Sequence, residues 1–194
     1  EETNVARWLM IASLHGEFLN YTASFEHVTG LGDPRLPLIE SVDIFGLNHA
    51  VRDGRPGADT LPDFLTNDFP DPRDLPDTLH VSTGAIDAVD SDVDSPYMNG
   101  PGPLEVTINA EVGQGWNYIR IDDPFDATYR IGSVRRSDGS LLLTPDNAWQ
   151  TSRINRLEPG SPVERYIHIF DRGGDGIYIV AFDPDSIAPT VESV

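Results

Sequence analysis

The sequence predicts an all-β fold, a β-sandwich with one long Pro- and Asp-rich excursion between strands. Three observations predict it. Period-2 runs of β-branched and aromatic residues recur about every 8 to 12 residues, with turn residues between them. The acids are skewed to 22 Asp against 10 Glu. Asp bonds its own backbone in turns and disfavours helix interiors. Sixteen prolines and 17 glycines punctuate the chain throughout.

The N-terminal run Val5, Trp8, Leu9, Ala12 has helical spacing, with Thr3 or Asn4 as a cap. The alternation that follows favours an edge or docked strand there instead. Residues 17–28 alternate cleanly, with Leu19, Tyr21, Ala23 and Phe25 on one face, and form the first firm strand. Residues 30–37 turn, and Leu38 to Asn48 reads as the next strand. Residues 49–76 carry five prolines and little periodicity. They read as a functional or extended excursion, pinned by a short helical turn at Leu61, Phe64, Leu65 and Phe69. Thr78 to Val89 is expected to be one strand, followed by an Asp-rich turn, Asp87 to Asp94. Tyr97 to Pro103 (YMNGPGP) breaks the pattern and sets a soft boundary within a single domain spanning 1–194.

The second half is more regular. Leu104 to Val112 alternates, with Leu104, Val106, Ile108 and Ala110 inward. Trp116 to Asp122 alternates again, followed by Ala127 to Arg136, a Ser137-Asp-Gly139 turn and its partner Ser140 to Thr144. Residues 147–157 form a strand or ordered loop anchored by Trp149. Arg165 to Phe170 and Ile177 to Phe182 flank Asp171-Arg-Gly-Gly-Asp-Gly176, which reads as a β-hairpin. Both faces of both runs are apolar, so they belong at the centre of a sheet covered on both sides. The sandwich is expected to be of immunoglobulin-like or jelly-roll type.

Charge bounds the partners. All 13 bases are Arg, against 32 acids, for a net charge of −19. Such a field repels phosphate backbones and anionic membrane surfaces. There is no cysteine, hence no disulfide, thiolate nucleophile or Cys-based zinc site. The uncharged run Trp8 to Leu14 is too short to span a bilayer. A chain opening at Glu1 fits a cleaved secretory signal and an excised module equally well. Asn20-Tyr-Thr22 is a glycosylation sequon of the kind that chance often produces.

Two C-terminal stretches carry a resemblance. Asp185-Ser-Ile-Ala-Pro-Thr-Val-Glu-Ser-Val194 resembles the linker and first strand that open immunoglobulin-like repeats of large secreted bacterial surface proteins. Asp175-Gly-Ile-Tyr-Ile-Val-Ala-Phe182 is similar to the closing strand of such a module. The resemblance covers about 20 residues in all. It implies a secreted, cell-surface, modular or adhesive setting and carries over no catalytic residue.

No Gly-x-Ser-x-Gly elbow and no His-Glu-x-x-His is present. The five histidines are scattered, and His168 reads as a packed strand residue. With 32 acids some carboxylate pair is inevitable, so a glycoside-acting enzyme ranks third. Calcium is the one metal with a local motif. Asp90-Ser-Asp92-Val-Asp94 resembles the start of an EF-hand loop, but Ser95 stands where Gly is needed and Pro101 where the bidentate Glu belongs. Asp171 to Asp175 is a second candidate, and a solvated acidic turn is the commoner explanation of both. Trp149, beside Asn147 and Gln150, is the aromatic best placed to stack on a sugar. The favoured role is an extracellular structural subunit or module that adds a β-strand to neighbouring copies, in a filament or surface layer. A calcium-dependent or polysaccharide-binding adhesion module is the alternative.

Overall fold

The computed structural model describes residues 46–53, 58–67, 75–93, 95–155 and 158–184. The expected strands at 5–14, 17–28 and 38–45, and the C-terminal segment 185–194, lie outside these residues. Within them the fold is all-β, with strands β1 (Gly46–Val51), β2 (Asp63–Asn67), β3 (Thr78–His80), β4 (Ile86–Asp92), β5 (Tyr97–Asn99), β6 (Glu105–Asn109), β7 (Trp116–Asp122), β8 (Arg130–Arg136), β9 (Ala148–Ile154), β10 (Val163–Arg172) and β11 (Ile177–Asp183). They form two sheets, ordered β1-β2-β3-β4-β7-β10-β9 and β5-β6-β11-β8, in a sandwich-like arrangement. All pairings are antiparallel except β4 with β7.

The core between the sheets follows from alternation. Ile119, Ile121, Ile167 and Ile169 of the large sheet meet Val106, Ile108, Val134, Tyr178, Val180 and Phe182 of the small one. The expected inward set of 104–112 holds, with Val106 and Ile108 buried and Leu104 and Ala110 packed against them.

A second apolar cluster lies on the other face of the large sheet: Val51, Leu65, Leu79, Val89, Trp116, Tyr118 and Phe170. Its members come from β1, β2, β3, β4, β7 and β10, so the seven-stranded sheet curls over on itself. Its first and last strands meet. His49 of β1 stacks on Trp149 of β9 at 3.9 Å. The Arg52 amide donates to Asn147 Oδ1 at 3.0 Å, and Asn147 Nδ2 donates back to the Arg52 carbonyl at 2.8 Å. Strong right-handed twist allows such closure, and closure removes two open edges.

The expected hairpin at 163–185 is the main correction. Its two runs are strands, and both are central, but they lie in different sheets: β10 pairs with β7 and β9, β11 with β6 and β8. The loop between them is an arch that crosses the sandwich. Gly173, Gly174 and Gly176 all have positive φ there. At Gly176 (φ 74) a Cβ would fall 2.0 Å from the Ala110 carbonyl oxygen. Gly176→Ala is therefore expected to cost roughly 2 kcal/mol or more, read as a lower urea midpoint at unchanged slope.

Three smaller corrections share one cause. The excursion 49–76 contains the end of β1 and all of β2, so Leu65 sits in a strand rather than a helical turn and is fully buried. Pro62 precedes that strand instead of interrupting it, which its lack of an N–H permits. The span 78–89 splits into β3 and β4 around a turn where Gly84 has positive φ. Most of the Asp-rich "turn" 87–94 is β4, and the expected break at 97–103 begins with a strand, β5. In each case pairing overrides weak local propensity: β2 pairs with β1 and β3, β3 with β4, β4 also with β7, and β5 with β6. The expected partner strand 140–144 is reduced to a bridge, Arg135 to Leu141.

Candidate functional site

Alternation along β7, β10 and β9 turns Tyr118, Arg120, Tyr166, His168, Trp149, Thr151 and Arg153 to the face opposite the small sheet. His168 lies opposite Arg120 on one side and Trp149 on the other. Trp149 is sandwiched, with His49 at 3.9 Å and His168 at 4.9 Å, both within 14° of parallel. The Tyr118 hydroxyl lies 2.7 Å from His168 Nδ1 and the Thr151 hydroxyl 2.6 Å from Nε2. Burial, reinforced by the charges of Arg120, His49 and Arg153, pulls the His168 pKa down to about 3. The imidazole is neutral at ordinary pH. One ring nitrogen donates and the other accepts, and two hydroxyls complement either tautomer. Burial likewise pushes the Tyr118 phenol up to about 12.

Thr151, His168 and Tyr118 thus have the outline of a nucleophile, base and orienter. The chemistry does not match the outline. A base with a pKa near 3 draws a proton from Thr weakly, and a neutral phenol does not stabilise an imidazolium as a carboxylate would. The cluster locks the β7-β10-β9 face together.

Beside this cluster Tyr166 lies between two guanidinium groups, Arg120 at 4.7 Å and Arg153 at 5.6 Å from its ring centre. Arg153 is also bound to Glu164 at 2.6 Å. Arg52, Arg135, Arg136 and Arg165 are paired with Asp146, Glu105, Asp171 and Asp126. Among the described residues no carboxylate pairs with Arg120, although the chain holds 32 acids against 13 bases.

Arg120 borders an open notch in the large sheet. Pairing of β4 with β7 runs only from Val89 opposite Trp116 to Asp92 opposite Ile119, while β7 continues to Asp122. The Asp123 amide donates to the Arg165 carbonyl on the β10 side. Alternation then points the backbone groups of Asp122 into the lane that β4 vacates. Across the notch stands β5, an edge strand. Asn109 donates to Pro96 O and Gly100 donates to Glu105 O, so Tyr97 and Asn99 turn their backbone groups outward. All three β5 residues are exposed, Met98 at 57%. Among the described residues a cleft of about 370 Å³ borders both edges, lined by Val93, Ser95, Tyr97, Arg120, Ile121, Asp122 and Tyr166.

The acids expected to bind calcium are distributed otherwise. Asp90 and Asp92 lie along β4, and the Asp92 carboxylate accepts from Ser95 Oγ and the Glu111 amide, each at 2.8 Å. Asp94 lies outside the described residues. Asp171 is buried and takes a two-pronged bond from Arg136 at 2.5 and 2.6 Å, while the Tyr178 hydroxyl donates to it at 3.2 Å. Asp175 accepts from Ser137 Oγ and from the Ile177 amide. Among the described residues no three metal-ligating side chains converge. Both faces of Trp149 are covered by imidazoles, so a sugar stacking there would have to displace one.

Arg120, Tyr166 and the notch have no motif in the sequence. The available signal was the alternation WNYIRID, which places Arg120 on the face shared with Trp116 and Tyr118. Comparison with known proteins finds no matching family model, no matching curated protein and no matching solved structure.

Proposed function

We propose that this chain is an extracellular structural module that joins neighbouring copies by β-strand addition. One observation carries the reading: two strand edges without a strand partner among the described residues, β5 and the end of β7, border the same cleft. An added strand satisfies a row of backbone groups at once, and sheet edges left open in this way invite it. The strong negative charge keeps free copies dispersed and makes assembly favour higher salt, where repulsion is screened. The weak C-terminal resemblance to modules of secreted surface proteins supports the same setting. The described aspartates favour this reading over calcium-dependent adhesion, because Asp92, Asp171 and Asp175 already have protein partners.

Asn99→Pro tests the reading. It removes the outward N–H of β5 and leaves the β6 ladder intact. The wild-type chain is expected to assemble with concentration and salt in light scattering, and the variant to stay monomeric at an unchanged melting temperature. A wild-type chain that stays monomeric up to millimolar concentration in high salt would sink the reading.

A further inference from the structure

We infer that the curl of the large sheet is gated: in mildly acidic solution the seam between β1 and β9 opens while the core between the two sheets stays folded. The inference is independent of strand addition at the notch and rests on how the seam is held. Among the described residues no strand pairing joins β1 to β9. Side chains replace the ladder. The Asn147 amide takes the place of a strand partner, bonding both the N–H and the carbonyl of Arg52. Arg52 pairs with Asp146 at 2.9 Å, but both side chains are exposed, and such a pair contributes little. His49 stacks on Trp149, and its Nε2 lies 3.1 Å from the Pro145 carbonyl oxygen.

The seam can open alone because the two apolar clusters are separate. Among the described residues the core between the sheets takes no side chain from β1, β2 or β3. Only the second cluster, with Val51, Leu65 and Leu79, loses cover. The curled strands stay attached through β4, which pairs with β7. Opening frees the outer edges of β1 and β9 for further strands.

His49 is the trigger. The Pro145 carbonyl can only accept, so Nε2 carries the hydrogen and an added proton goes to Nδ1. Among the described residues, Asp146 from the loop before β9, Arg52 beside it, and His168 of β10 across the Trp149 ring face this imidazole, while β2 sets apolar Leu65 opposite. The Pro145 carbonyl and Asp146 favour the imidazolium, but burial outweighs them and holds the pKa below 6.5. An open seam returns the ring to water. The open form therefore binds the proton more readily, and the closed form is fully favoured only above pH 6.5. His168 stays between Tyr118 and Thr151 when β1 leaves, so its proton enters only with full unfolding.

Amide exchange at Arg52 in dilute protein tests this, since that N–H donates across the seam to Asn147. Taken against the intrinsic rate at each pH, its protection is expected to fall between pH 6.5 and about 4.5, by at most about tenfold per pH unit, the limit for one proton. The Ile169 and Val180 amides should stay far better protected throughout. His49→Phe keeps a flat ring on Trp149 and removes the proton, so the pH dependence at Arg52 should vanish; should this variant fail to fold, His49→Gln serves in its place. His168→Gln, which removes the titration of the folded core, should keep the dependence. Protection at Arg52 that does not change with pH overturns the proposal. So does protection that rises in acid, which would mean that imidazolium holds Trp149 more firmly than imidazole. A fall that survives in His49→Phe, or disappears in His168→Gln, is exchange through full unfolding and overturns it too.

Discussion

Asp171→Ala is expected to destabilise the chain by about 3 kcal/mol. Asp171 sits on β10 in one sheet and its partner Arg136 on β8 in the other, so the pair clamps the sandwich. The carboxylate is 6% exposed and holds two bonds from Arg136 and one from Tyr178. Its loss leaves a guanidinium and a buried phenol without their acceptor. Breaking a fully buried pair costs about 3–5 kcal/mol, and the 31% exposure of Arg136 places this case at the lower end. Because the clamp needs no metal, the loss in urea unfolding should be the same in calcium and in chelator. A deficit that appears only with calcium present would assign Asp171 to a metal site instead.

Acid should unfold the protein earlier than its carboxylates alone require. His168 has a folded pKa of about 3 and an ordinary value of 6.5. The unfolded chain thus binds a proton that the folded chain refuses, and stability rises with pH across that interval. The contribution is complete above pH 6.5 and is lost as pH falls toward 3, at about 1.4 kcal/mol per pH unit. Down to about pH 4.5 alone this amounts to roughly 3 kcal/mol. His49, lowered chiefly by burial, adds to the loss with the same sign. Asp63, raised by burial, opposes it, since its folded state holds a proton more tightly than the unfolded chain does. His168→Gln keeps a neutral side chain between Tyr118 and Thr151 and removes the titration. Its unfolding free energy should fall much less than that of the wild type between pH 6.5 and 4.5, the remaining loss being that of His49. A wild-type curve already flat there would show that His168 protonates without disturbing the stack.

The strands from Leu104 onward were legible because alternation, turn residues and burial agree along that stretch. WNYIRID became β7 to the residue, and the buried strand role of His168 held. What alternation does not encode is which strands pair. Asp171 to Gly176 carries the glycines of a hairpin loop, yet the same glycines serve an arch between sheets. The apolar character of both faces of β10 was the usable clue: one face feeds the core at Ile167 and Ile169, the other the cluster at Phe170. β2 and β4 were hidden because Pro62 and a run of aspartates outweighed short apolar patterns, whereas their partners came from β1, β3 and β7.

The candidate site was less legible still. The stack of His49, Trp149 and His168 joins residues about a hundred positions apart, at a seam created by the curl of the large sheet. The notch arises because β4 leaves the sheet after Asp92 while β7 continues to Asp122, a difference in length between two strands that only their register reveals. Of the acids singled out for calcium, Asp92, Asp171 and Asp175 are bonded within the fold. The informative charge is the basic one, Arg120, which stands out only beside the described arginines Arg52, Arg135, Arg136, Arg153 and Arg165, each paired with a carboxylate.

Amide hydrogen exchange as a function of protein concentration tests strand addition most directly. The exposed edges predict fast exchange at Tyr97, Asn99 and Asp122 in dilute protein, since none of these amides faces a strand partner among the described residues. On assembly in high salt these three amides should slow together, while those of β10 and β11 keep the protection they already have. Assembly that leaves the three amides fast and protects some other surface would contradict the account.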